Sequence, residues 1–142
     1  MIIRPARPED LPALVDLCVA HAAFERAAID PTGLADRLAA ALFGTGRLGC
    51  LVLDADGRLD GYATFGREFS TWAGAEYTHL DCLFVTGARR GGGWGRRLFE
   101  EVVARADGEV QWQTPEWNTD ARRFYERLGA RPAPKIRYTL PA

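Results

Sequence analysis

Apolar positions change their spacing several times along the chain, and each change marks an element. Ile2-Ile3-Arg4 starts a strand. Leu11, Leu14, Val15, Cys18 and Ala22 then recur at the spacing of one helix face, with Asp10 placed to cap that helix. Pro31-Thr32 restarts a second helix through Leu34, Leu38 and Leu42, ended near Gly44. The runs Cys50–Leu53 and Gly61–Phe65 flank Asp54-Ala55-Asp56-Gly57, a hairpin signal. Ser70 to Ala75 reads as a loop into the strand-like run Glu76–Val85. A glycine-rich turn follows, then a helical run to about Ala106, a strand near Val110–Thr114, a helix over Asn118–Leu128 and a last strand near Ile136–Leu140. The order β-α-α-β-β-β-α-β-α-β describes one α/β domain over residues 1–142, without internal repeat or linker.

Composition narrows the class. At 142 residues the chain can bury a sizeable core, and 47% hydrophobic with 26% charged residues is ordinary for a globular domain. No apolar run approaches the roughly 20 residues of a membrane span, and Met-Ile-Ile-Arg-Pro lacks the pattern of a signal peptide. A cytoplasmic protein without a membrane partner is expected. Cys18, Cys50 and Cys82 are odd in number, far apart and flanked by apolar residues, which suits free thiols in a reducing compartment. His21 and His79 are too few for a zinc set, so no metal is expected. Ser70 is the only serine and has no triad motif around it.

The turn after Val85 carries the first chemical signal. Residues 89–99 read Arg-Arg-Gly-Gly-Gly-Trp-Gly-Arg-Arg-Leu-Phe. A strand, a glycine turn and a helix start together bind anions, because glycines let N–H groups approach closely and the helix start adds partial positive charge. Arginines on both sides suit phosphate oxygens. A Walker loop would need Lys-Ser/Thr after its last glycine, where Arg96-Arg97 stand. A dinucleotide fingerprint would need glycine at 96 or 98, where Arg96 and Leu98 stand. The string also reads as an RGG-like nucleic-acid segment with Trp94 as a stacking platform. Against that, 19 acidic residues balance 18 basic ones for a net charge of -1, without the basic excess of a nucleic-acid domain. A local cationic patch suits one small polyanion, and no nucleic-acid partner is expected.

What fits is R-x-x-G-x-G on Arg90, Gly93 and Gly95. With the segment N-x-x-A-x-x-F-Y-x-x-x-G from Asn118 to Gly129, it resembles the two motifs of the GNAT superfamily of N-acetyltransferases. The element order is also similar to that fold, a mixed central sheet flanked by helices with splayed central strands. Residues 130–142 allow only a short final hairpin. The resemblance implies acetyl-coenzyme A as cosubstrate. Backbone groups of Leu83, Phe84 and Val85 would take the pantetheine arm like an added strand. Arg90 and the N–H groups of Gly91, Gly92, Gly93, Trp94, Gly95 and Arg96 would cradle the pyrophosphate, and Asn118 would bind the arm by its amide. As a helix cap Asn118 would serve equally well, and the two roles can coexist.

Acetyl transfer needs a neutral amine and help for the departing thiolate. An alkyl amine of pKa about 10.4 is neutral in about one molecule in 10³ near pH 7. A strand carboxylate can take the proton, and alternation puts Asp81 on the face of Leu83 and Val85; His79 is the alternative base. Tyr125, four helical residues after Ala121, can share that residue's face, and its place in the second motif implies an acid at the sulfur. Glu25, Glu76 and Glu116 would line the path of a cationic acceptor. Glu116-Trp117-Asn118, Phe24-Glu25 and the loop around Trp72 look similar to the spermidine/spermine acetyltransferase branch, although Asp81 is followed by Cys82 where that branch has a second acid. A primary amine acceptor, polyamine-like or otherwise, is therefore expected, with a homodimer left open. The other class is a coenzyme A-binding sensor or partner subunit without turnover.

Overall fold

The computed structural model describes residues 1–142. In chain order the elements are β1 (Ile2–Pro5), α1 (Leu11–Phe24), α2 (Leu34–Ala39) continued by a π turn at Ala40–Gly44, β2 (Gly49–Ala55), β3 (Arg58–Ser70), β4 (Ala75–Val85), α3 (Trp94–Arg105), β5 (Val110–Gln111) and α4 (Thr119–Arg127). The five strands form one sheet in the order β1-β2-β3-β4-β5. The first four are antiparallel, and β5 runs parallel to β4. No helix is long and apolar enough to cross a membrane.

Alternation along the strands feeds two cores. Leu51, Leu53 and Ala63 meet Leu98, Phe99 and Val102 of α3 on one face. Cys50, Val52 and Tyr62 meet Leu14 and Leu17 of α1 on the other. In β4 the alternation is interrupted. Thr64 pairs with Cys82 but Phe65 pairs with Leu80, so Asp81 is the extra residue of a β-bulge. Leu80, Leu83 and Val85 therefore face α3, while Cys82 and Phe84 face α1.

The site arises where pairing stops. β5 meets β4 only at Thr78 and His79, so β4 from residue 80 to 85 has a free edge on that side. The strand expected to reach Thr114 ends at Gln111. The strand expected at Ile136–Leu140 does not form: Ile136, Tyr138 and Leu140 are 77%, 87% and 96% exposed. Pro132, Pro134 and Pro141 remove donors around it, and β5 is too short to template it. Asp10 also differs from expectation. Its carboxylate accepts from the Arg7 N–H (2.7 Å) and from Arg4 (2.8 and 2.9 Å) rather than from α1. Pro12 in the first turn lacks the N–H that such a cap would use.

Candidate active site

A cleft of about 590 Å³ opens along the free edge of β4 between the starts of α3 and α4. Leu83, Phe84 and Val85 form its floor, and Arg90, Gly91, Gly93, Gly95 and Arg96 its phosphate-sized end. Gly93 caps α3 at φ 79°, and Gly91 has φ 82°, both left-handed values that disfavour a side chain. A Cβ at either would meet nothing within 4 Å, so these peptides face open space. Gly95 instead passes the Phe124 ring, 3.6 Å from where its Cβ would be, which fits α3 against α4. Gly92 and Trp94 do not line the cleft; the Trp94 ring packs on the α3-side core beneath the Arg97 guanidinium.

Three arginines here are held by the protein. Arg89 donates to the buried Asp60 at 2.7 Å, fixing the start of the turn to β3. Arg58 and then Arg89 hold the Asp60 carboxyl down at about 2. Arg96 pairs with Glu100 at 2.8 Å. Arg90 Nε donates to the Val85 carbonyl at 3.0 Å, with its guanidinium 4.0 Å from the Phe24 ring centroid.

α4 supplies the other wall. Buried Asn118 is its cap, with Oδ1 accepting from the Ala121 N–H at 3.1 Å. Tyr125 follows on the cleft-lining side, its ring 5.2 Å from that of Trp112 and 5.3 Å from that of Phe124. Burial first, then the Glu25 carboxylate and the Cys82 thiol, push the Tyr125 hydroxyl up to about 12. It therefore keeps its proton throughout the neutral and mildly basic range. Burial likewise pushes the Cys82 thiol up to about 11, so no thiolate stands near the cleft at neutral pH.

From α1, His21 and Glu25 reach the same cleft one turn apart. His21 Nε2 lies 2.8 Å from a Glu25 oxygen, and Nδ1 lies 2.8 Å from the Tyr62 hydroxyl. A carboxylate only accepts, so Nε2 carries a hydrogen toward Glu25, while the hydroxyl of Tyr62 can donate to or accept from Nδ1. The imidazole also stacks on Phe84 at 5.0 Å.

Asp81 lies elsewhere. The bulge turns it off the face of Leu83 and Val85, so the alternation that placed it there does not hold. It lines a separate cavity of about 420 Å³ with His79, Arg47, Arg67 and Glu68. The Cys82 thiol bridges the two regions, donating to Asp81 Oδ2 at 3.8 Å while facing Tyr62 in the α1-side core. Glu76 and Glu116 line neither space. Glu76 is exposed, 3.6 Å from Arg67, and Glu116 is exposed before α4, its carbonyl accepting from Arg122.

The model of the acetyltransferase (GNAT) family matches residues 15–130. This chain belongs to that family. It is 27% identical over 134 residues to a D-amino-acid N-acetyltransferase, HPA3, of Saccharomyces cerevisiae, covering 90% of this chain and 83% of that protein. A blasticidin-S acetyltransferase of Streptomyces morookaense is 38% identical over 64 residues, 43% of this chain and 47% of that one. A possible acetyltransferase from Clostridium difficile 630 has the same fold, with a TM-score of 0.83, 19% identity and coverage of 99% and 97%.

GNAT acetyltransferases use acetyl-coenzyme A, and this cleft fits it. The open faces of Gly91 and Gly93 suit a pyrophosphate, and the unpaired edge of β4 suits an extended amide chain. Sequence reasoning missed several lining residues: His21, Phe24, Arg89, Thr114, Asp120 and Arg127. The i,i+4 spacing of His21 and Glu25 was the one signal available for the first of them.

Proposed function

We propose that the chain moves an acetyl group from acetyl-coenzyme A to a primary amine by direct attack. The observation that carries this reading is the convergence on one cleft of the glycine cradle, the free edge of β4, the Asn118 cap and Tyr125. Bound acetyl-coenzyme A supplies the acyl group as an activated thioester. The residues of the chain do the rest. Gly91 to Arg96 hold phosphate, Arg90 exchanging the Val85 carbonyl for it, and Leu83 to Val85 align the arm by their peptide groups.

Asp81 takes the ammonium proton, directly or through water, and passes it to solvent. The amine nitrogen then bonds to the acyl carbon as the C–S bond breaks, and its second proton ends on sulfur. Tyr125, with a hydroxyl near 12 against a thiol near 8.5, stabilises the sulfur chiefly by donating a hydrogen bond. The neutral Cys82 supports direct attack over a covalent acyl-enzyme. Of the three glutamates expected to line a cation's path, Glu25 alone faces the cleft, and polyamine specificity would rest on it. Three free thiols suit a cytoplasmic location.

Release of free thiol from acetyl-coenzyme A tests the reading. Amine-dependent release is expected. Thermal stabilisation by coenzyme A without release for any amine would make the chain a sensor or partner subunit instead.

A further inference from the structure

We infer that Arg26 and Trp117 form a clasp across the cleft that positions Glu25 opposite Tyr125 for the amine acceptor; this rests on the acetyltransferase reading above. The Arg26 guanidinium carbon lies 3.7 Å from the Trp117 ring centroid, within cation–π range. Arg26 directly follows Glu25 at the end of α1, and Trp117 directly precedes Asn118 at the start of α4. Glu25 and Asn118 line the cleft, whereas Arg26 and Trp117 do not. The contact therefore ties two walls of the cleft together from outside it. It stands at the Tyr125 end, because the Glu25 carboxylate is close enough to raise the Tyr125 hydroxyl. Arg26 and Trp117 act on the acceptor only by holding Glu25.

The backbone under the clasp is strained on one side and fixed on both. Arg26 has φ 60°, a left-handed value that a helix end ordinarily gives to glycine. Its N–H donates to the Ala23 carbonyl at 3.1 Å, and the Ala27 N–H donates to the Ala22 carbonyl at 2.8 Å. These two bonds close the end of α1, and a glycine would make them with less strain. The arginine side chain thus adds nothing to the turn itself. It joins none of the ion pairs of the chain, and its guanidinium rests on the half-exposed Trp117 ring. Trp117 is held in turn. The Asn118 N–H donates to the Pro115 carbonyl (3.0 Å) and the Thr119 N–H to the Trp117 carbonyl (2.9 Å). Between these fixed ends Glu25 is oriented by His21, whose Nε2 lies 2.8 Å from its carboxylate. Strain of this kind persists where the surroundings over-determine it, and beside a cleft it serves the geometry of the site.

Arg26→Gly tests the clasp, because it relieves the strain while releasing the ring. Thiol release from acetyl-coenzyme A is measured with a panel of primary amines that includes spermidine, 1,4-diaminobutane and benzylamine, beside coenzyme A titration and thermal melting. The variant is expected to melt no lower than wild type and to keep its affinity for coenzyme A. Its KM for the best amine should rise about fivefold with kcat little changed, the mark of lost acceptor binding. Trp117→Leu should raise the same KM, and Trp117→Tyr, which keeps an aromatic face, should recover part of the loss. An unchanged KM in Arg26→Gly overturns the inference while leaving the acetyltransferase reading intact. So does a KM rise matched by equal losses of coenzyme A affinity and melting temperature, which would make the contact part of the fold alone. No release with any amine would instead overturn the reading on which it rests.

Discussion

The cleft and the cavity lie on either side of the same strand and are built in different ways. The parts of the cleft that carry the two motifs are made by local structure: a turn whose glycines adopt left-handed φ, a capped helix start, and one side chain on the first turns of α4, with His21, Phe24 and Glu25 added from a distant segment. The cavity is made by tertiary structure, from a loop after α2, the middle of β3 and a bulge in β4. A site that is local in sequence can be spelled as a spaced motif. A site gathered from distant segments cannot, because each of its residues is unremarkable alone.

The largest effect is expected at the sulfur end of the cleft. Tyr125→Phe keeps the ring among Trp112 and Phe124, so coenzyme A affinity should change little. Single-turnover transfer should fall about 10²-fold, the lower end for acid catalysis. With the hydroxyl near 12, that factor should stay constant from pH 7 to 10. A mutant as fast as wild type would reduce Tyr125 to packing.

Next comes the anchor of the turn. Asp60→Asn removes a carboxylate held by Arg58 and Arg89 and should destabilise by about 2 kcal/mol, read by denaturant unfolding. Because the folded pKa, about 2, lies below the unfolded value near 3.9, this stabilisation is complete above about pH 4. It is lost as pH falls toward 2, and the mutant should lack that acid dependence. Gly93→Val forces a β-branched residue to φ 79° where phosphate would approach, and should weaken coenzyme A at least tenfold, about 1.4 kcal/mol. Unchanged titrations in a folded mutant would move the phosphate site.

The smallest effect belongs to the cavity. Asp81→Asn should cut turnover several-fold at pH 7 and less at pH 9, where more substrate deprotonates unaided. An equal loss at both values would leave Asp81 a binding or structural residue.

Much of this was legible in the sequence, unevenly. The element order through α4 follows from hydrophobic spacing, and the Asp54–Gly57 hairpin closes with positive φ at Asp56 and Gly57 as its residues suggest. The phase of β4 was not legible, because a bulge is set by the register with β3 rather than by composition. Hence Asp81 was assigned to the wrong face. The terminal strand failed for a related reason: Ile136, Tyr138 and Leu140 alternate correctly, but a strand exists only with a partner. His21 was passed over as half of an inadequate zinc set, although its helical spacing to Glu25 already paired the two.

The most direct measurement is a crystal structure with a bisubstrate conjugate, coenzyme A joined through its acyl carbon to the nitrogen of an acceptor. Density is expected with the pyrophosphate on Gly91–Arg96, the sulfur beside Tyr125 and the acceptor nitrogen within reach of Asp81, directly or through water. A sulfur away from Tyr125, or an acceptor nitrogen with no such path to Asp81, would contradict the division of labour between the two sides of β4.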